Sequence, residues 1–165
     1  MRSLLLLLPI LICTCTGCGV YSFTGASIEG KTLNMHILDN RARNVVPSLS
    51  PTLTTKIRSR ILTQTGLSPV TVDKADYDIS GTITSYEVTV SGVQNTQTAS
   101  QNRLTISINI IFKNKLNEKA NFEQSFTRFA DFPASQSLQS VETSLIETIG
   151  NLLADDIFNK AFVNW

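Results

Sequence analysis

The nine residues Leu104-Thr105-Ile106-Ser107-Ile108-Asn109-Ile110-Ile111-Phe112 constrain this chain more than any other segment. Large apolar side chains at 104, 106, 108, 110 and 112 alternate with Thr105, Ser107 and Asn109. Successive residues of a strand point to opposite faces of its sheet, so one face here must be buried and the other wet. Such a strand is stable only beside further strands and beneath a covering layer.

Other segments carry the same period. Residues 32–38 set Leu33, Met35 and Ile37 against Asn34 and His36. Residues 77–90 place Ile79 and Ile83 on one parity, and Tyr86, Val88 and Val90 on the other. A change of parity inside one strand, here near Ser85, signals a bulge or a change of burial. In residues 121–132, Phe122 and Phe126 share a face and Phe129 takes the opposite one. Residues 91–101 read as a hairpin loop, and residues 114–120, with their asparagines and lysines, as a turn.

Two segments switch to the helical period. Leu49, Leu53, Ile57 and Ile61 recur every four residues. Ser48 or Ser50 can cap that helix, Pro51 suits its first turn, and Gly66 ends it. After Pro133, Ser135 or Ser137 can open a second helix, with Leu138, Val141, Leu145, Ile149, Leu152 and Ile157 on one side. Gly150 inside it costs about 1 kcal/mol relative to alanine. The expected fold is α+β: a four-stranded mixed sheet with two helices packed on one face, in the order β-α-β-β-β-α. The first two strands, joined through a helix, can lie parallel, and the rest are antiparallel.

The start of the chain reads differently. Arg2 precedes an apolar run from Leu4 to Ile12, too short to span a bilayer, which needs about 20 residues, but suited to an export signal. Cys15-Thr16-Gly17-Cys18 resembles the lipobox of bacterial lipoproteins, with Cys15 where leucine is usual. Residues 1–17 are thus expected to be a cleaved signal peptide, and residues 18–165 a single lipoprotein domain acylated at Cys18. Cys13, Cys15 and Cys18 are not read as a metal cluster, because ligands inside an export signal would be discarded with it. No cysteine follows position 18, so the mature domain can form no internal disulfide. One acyl chain holds a membrane weakly and two or three hold it stably. After Cys18 comes Gly19-Val20-Tyr21-Ser22, with neither the aspartate of inner-membrane retention nor an acidic cluster. The expected location is the periplasmic side of the outer membrane.

Charge excludes other roles. From Cys18 onward the chain has 13 basic and 13 acidic side chains, which argues against a nucleic-acid partner. Polarity comes instead from Thr, Ser, Asn and Gln, 52 of those 148 residues, enough to furnish an uncharged wet face. His36 is the single histidine, and it falls on the polar side of its strand. There is no GxSxG nucleophile elbow, phosphate-binding loop or GxGxxG motif. Asp76 with Asp78, and Asp155 with Asp156, read more simply as solvated pairs than as acid/base dyads. Phe122, Phe126, Phe129 and Phe132 read as core filling rather than a lipid groove. Enzymatic activity, a cofactor and a metal site are not expected. Arg41 and Arg43, the Lys56/Arg58/Arg60 group, Arg103, and Lys113/Lys115/Lys119 are ordinary surface on the simplest reading. The functional reading is that such cations meet phosphates of an anionic glycolipid, arginine bidentately and lysine as a point charge.

A family resemblance sharpens this. Residues 18–27 (CGVYSFTGAS), 46–50 (VPSLS), 81–86 (GTITSY), 102–106 (NRLTI), 156–161 (DIFNKA) and the closing Asn164-Trp165 are similar, in order and spacing, to the LPS-assembly lipoprotein family LptE. The resemblance implies a four-stranded sheet with two helices, and a partner role rather than chemistry. Its members sit in the lumen of an outer-membrane β-barrel, LptD, assist its assembly, and help pass lipopolysaccharide to the outer leaflet. On this reading the partners are an LptD-like barrel, lipopolysaccharide, and the membrane through a lipid anchor. Lys113, Lys115 and Lys119 are the first candidates for phosphate contacts, because loops carry function more often than helix faces do. Lys56, Arg58 and Arg60 come second. The alternative is a periplasmic lipoprotein that regulates an envelope enzyme or transporter without an LPS role.

Overall fold

A mixed sheet forms one layer and two helices the other in this computed structural model, which describes residues 28–44, 46–72, 74–93 and 99–163. Along the chain run β1 (Thr32–Met35), β2 (Asp39–Asn40), α1 (Leu49–Thr65), β3 (Ser68–Pro69), β4 (Tyr77–Val93) and β5 (Ala99–Asn114). A 3₁₀ turn (Glu118–Ala120), β6 (Phe122–Pro133) and α2 (Leu138–Phe162) complete the order. The sheet reads β3-β1-β4-β5-β6, and β2 pairs with β4 beyond the end of β1. β1, β2 and β3 pair in parallel, whereas β4, β5 and β6 are antiparallel. The fold class and the two-helix layer are as expected, but the sheet has six strands rather than four. The additions, β2 and β3, are two residues each, too short to leave any periodicity in a sequence.

The alternating segment is the core. Leu104, Ile106, Ile108, Ile110 and Phe112 are all at most 1% exposed. The β4 bulge is present: register with β5 shifts between Ile83 and Ser85. The inserted residue brings Tyr86 opposite Ile106 and into the core face that holds Ile79 and Ile83. The hairpin strands run further than expected, to Val93 and from Ala99, with residues 94–98 outside the described residues.

The β1 edge departs from its alternation. Met35 pairs with Ile79 and Asp39 with Thr82, so residues 36–38 span what β4 covers with Ser80 and Gly81. That extra residue turns Ile37 outward, 71% exposed, and sends Leu38 into the core at 1%. Gly81 makes room for it: a Cβ there would stand 3.1 Å from Leu38 Cδ2 and 2.5 Å from the Asn109 carbonyl oxygen. The edge is held by α1. Thr54 Oγ1 accepts from Leu38 N at 3.0 Å, the Ser50 hydroxyl donates to the Leu38 carbonyl, and Arg58 Nη2 donates to Met35 O at 2.7 Å.

Both helices form where their periodicity places them. Leu49, Leu53, Ile57 and Ile61 of α1 are completely buried, and Gly66 closes the helix at φ 67, a left-handed conformation that glycine adopts without penalty. Ser48 stands at the N-cap without a side-chain bond. In α2 the apolar stripe runs Leu145, Ile149, Leu153 and Ile157, and Leu152 is 42% exposed. A step of four after Ile149 follows the helical repeat more closely than a step of three, which would bring Leu152 inward. Phe162 ends the helix, its ring edge-on to Tyr77 at 5.2 Å and to Phe112 at 5.6 Å.

Candidate functional site

Two kinds of surface remain once the core is closed: the open face of the sheet and the basic groups around its rim. The open face is built from the side chains between the core positions of β5 and β6. Ser107 and Thr127 share a hydroxyl hydrogen bond of 2.8 Å, and Asn109 Nδ2 donates to Glu123 Oε1 at 2.7 Å. Arg103 grips Asp131 through two bonds, at 2.7 and 2.9 Å, and its guanidinium lies 3.7 Å above the Phe129 ring. The Arg103 bonds hold the Asp131 carboxyl below the usual carboxylate range and raise Arg103 in turn. Phe129 is 48% exposed on this face, while Phe126 and Phe132 are buried on the other. Phe122 stacks on Phe112 at 5.2 Å. The four phenylalanines therefore do not share one groove.

The basic groups separate. Lys56 and Arg60 come together along a cleft between the helices, with Asn151 and Asp155 opposite them. Arg60 Nε lies 2.7 Å from Asp155 Oδ1, an ion pair by distance without hydrogen-bond alignment. Its guanidinium carbon also stands 5.7 Å from the Phe158 ring centre. Arg58, two residues before Arg60, turns away to the Met35 carbonyl, so the expected trio is not one cluster. Lys113, Lys115 and Lys119 are exposed around the β5–β6 turn, where Asn117 Oδ1 accepts from Lys119 N. Arg41 and Arg43 line a groove beside residues 84–89, at the β4 bulge. Cys18 lies outside the described residues.

The acidic pairs of the sequence serve structure. Asp155 meets Arg60, and Asp156 takes Arg128 through two bonds of 2.6 Å, clamping α2 to β6. Those bonds raise Arg128. Asp76 Oδ2 accepts from Lys31 N, Thr32 N and Thr32 Oγ1 at 2.8–3.0 Å, which depresses its carboxyl; the Lys31 amide is the largest cause. Asp78 Oδ2 accepts from Asn34 Nδ2 and meets His36 Nε2, both at 2.9 Å. Burial, and then the bond it donates to Glu142 at 2.5 Å, push the Tyr86 phenol upward. Sequence reasoning missed the Arg128–Asp156 clamp and the Asp76 cap. Neither has a local signal, because 28 and 44 residues separate the partners. Among the described residues no three His, Cys, Asp or Glu side chains gather as for a metal. None of the described helices is long and apolar enough to cross a membrane.

Comparison with known proteins places this geometry. The fold is that of small bacterial lipoproteins: a minor lipoprotein from Acinetobacter baumannii shares it at 14% identity and a TM-score of 0.51, over 81% of this chain and 93% of that one. A rare lipoprotein B from Shewanella oneidensis matches at 15% identity and TM-score 0.52, over 78% and 92% of the two chains. No curated protein matches the sequence. The model of LptE, described as lipopolysaccharide-assembly, matches residues 30–161, and the chain belongs to that family.

Proposed function

We propose that this chain is an outer-membrane lipoprotein, anchored through Cys18 on the periplasmic side, that partners an LptD-like β-barrel. It supports assembly of the barrel and insertion of lipopolysaccharide into the outer leaflet, without catalysing a reaction. The observation that carries this reading is the family match across residues 30–161. The site agrees in kind. Four of the described arginines are tied to aspartates, and the open face is knit from hydroxyl and amide groups, as suits binding rather than catalysis. Lys113, Lys115 and Lys119 are the phosphate contacts in this reading. Lys56 with Arg60 is the second candidate, and Arg58 serves the β1 edge.

Pull-down of the native protein followed by mass spectrometry tests it. A large co-purifying outer-membrane barrel is the expected result. A peptidoglycan synthase or a transporter in its place would overturn the reading in favour of an envelope regulator. The same spectra should show a lipid-modified Cys18 as the first residue, and an unmodified start elsewhere would remove the anchor.

A further inference from the structure

The two edges of the sheet are built in opposite ways. Strand edges expose rows of unpaired N–H and C=O groups, and folded proteins blunt them with short strands, proline and bulges. The β3/β1/β2 edge uses all three: strands of two to four residues, Pro69, and the extra residue among 36–38. β6 ends the sheet on the other side with twelve residues, in unbroken register with β5. It has no lysine, and its only proline is the final residue.

The backbone of β6 can be sorted by direction. Lys115 N donates to Asp76 O, whereas Ile79 O accepts from His36 N on the far side of β4. Bonded and non-bonded pairs alternate along an antiparallel ladder, so Ile79 and Phe112 do not bond each other, and the even residues of β5 turn their polar groups to β6. The β6 partners of those residues are Phe122, Gln124, Phe126 and Arg128. The odd residues Glu123, Ser125, Thr127, Phe129 and Asp131 therefore aim N–H and C=O away from the sheet.

We propose that β6 is a docking edge that an extended segment of the partner barrel joins as an additional strand, held mainly by backbone hydrogen bonds. This rests on the barrel partnership proposed above. The side chains of β6 favour backbone recognition, because Arg128, Asp131 and Glu123 are already paired with Asp156, Arg103 and Asn109. Charge disfavours a second copy in this place. In a symmetric antiparallel pairing, directly opposed residues share a face and their numbers have an even sum. The two fullest registers then set Glu123 against Asp131, or Arg128 against Arg128.

The test compares full-length wild type, Thr127→Val and Thr127→Pro with the purified LptD-like barrel from the same organism. Both variants lose the Thr127 hydroxyl bond to Ser107, so against Thr127→Val the proline removes the outward donor as well, and an edge strand tolerates it there. Thermal unfolding and size-exclusion chromatography of each variant check folding and association. Co-purification should persist in Thr127→Val and fall by about tenfold in a folded Thr127→Pro. In the wild-type complex, amide exchange should slow at the odd β6 residues and stay unchanged at Ile37. Should Thr127→Pro misfold, this exchange pattern alone decides. A complex that leaves the odd β6 amides unprotected, or binds Thr127→Pro like wild type, overturns the docking edge and leaves the barrel partnership standing. Failure of wild type to bind the barrel removes both. A wild-type dimer that Thr127→Pro abolishes makes a second copy the occupant and overturns the barrel strand.

Discussion

At the residue scale, the positions that matter most are those where a backbone or a charge leaves no freedom. Asp76 is one, its carboxylate closing the entry to β1 on two backbone amides and a hydroxyl. Its carboxyl is depressed in the folded chain relative to about 3.9 when unfolded. Its stabilising contribution is therefore full above that value, and is lost as pH falls through the lower folded one. Asp76→Asn should lower the melting temperature at pH 7, and the gap to wild type should narrow below about pH 4. Melting curves across pH 3–7 check this, and a gap that does not narrow would remove the carboxylate from the account. Two glycines make a contrast. At Gly81 a Cβ would press on the Asn109 backbone at 2.5 Å, and at Gly150 it would meet the flexible Leu53 Cδ2 at 3.2 Å. Gly81→Ala should cost about 1–3 kcal/mol of stability in urea titrations. Gly150→Ala should lie within about 1 kcal/mol of wild type, because gained helix propensity offsets the tighter contact.

At the element scale, the β1 edge shows how one extra residue decides which side chain is core. Ile37 and Leu38 are adjacent and both apolar, and only the register of the edge against β4 separates them. Leu38→Ala should cost about 2–5 kcal/mol, while Ile37→Ala should stay within about 0.5 kcal/mol. Denaturant midpoints of the two variants measure this, and equal losses would mean that residues 36–38 lack the extra residue. The strand pattern and both helices were legible because periodicity is a local signal: Leu104 to Phe112 needs no knowledge of its neighbours to announce a buried face. The irregularity in β4 was legible for the same reason, as a break in parity, and the register against β5 decided for a bulge over a change of burial. The bulge at 36–38 was not, since Leu33, Met35 and Ile37 alternate correctly and nothing within the segment reveals the slip. Its cause lies elsewhere in the chain, in Gly81 beneath Leu38 and in Ser50 and Thr54 of α1.

At the scale of the whole molecule, the sheet has one face closed by helices and one left open, and lysines exposed around its β5–β6 turn. The chain from Gly19 onward can be tested for lipopolysaccharide binding as Lys113/Lys115/Lys119→Ala and as Lys56/Arg60→Ala. The first should weaken binding at low salt and less so at moderate salt, since exposed contacts are worth only about 1 kcal/mol each and are screened. The second should change it less, because Arg60 already meets Asp155. If both variants bind like wild type at low salt, the lysines are ordinary surface.

Read alone, the sequence determined the fold class, the two helices and the buried face of the central strand, because each is written in local periodicity. Tertiary structure decided which cations stand together. Lys56, Arg58 and Arg60 look like one cluster along the chain, yet successive residues of a helix diverge by about 100°, and Arg58 turned to the sheet edge while Arg60 turned to α2. Tertiary structure also decided that Asp155 and Asp156 face different partners, and that one edge of the sheet is blunted while β6, at the other, pairs with no further strand among the described residues. Those choices depend on contacts between residues far apart in the chain, formed only once the sheet and helices have packed.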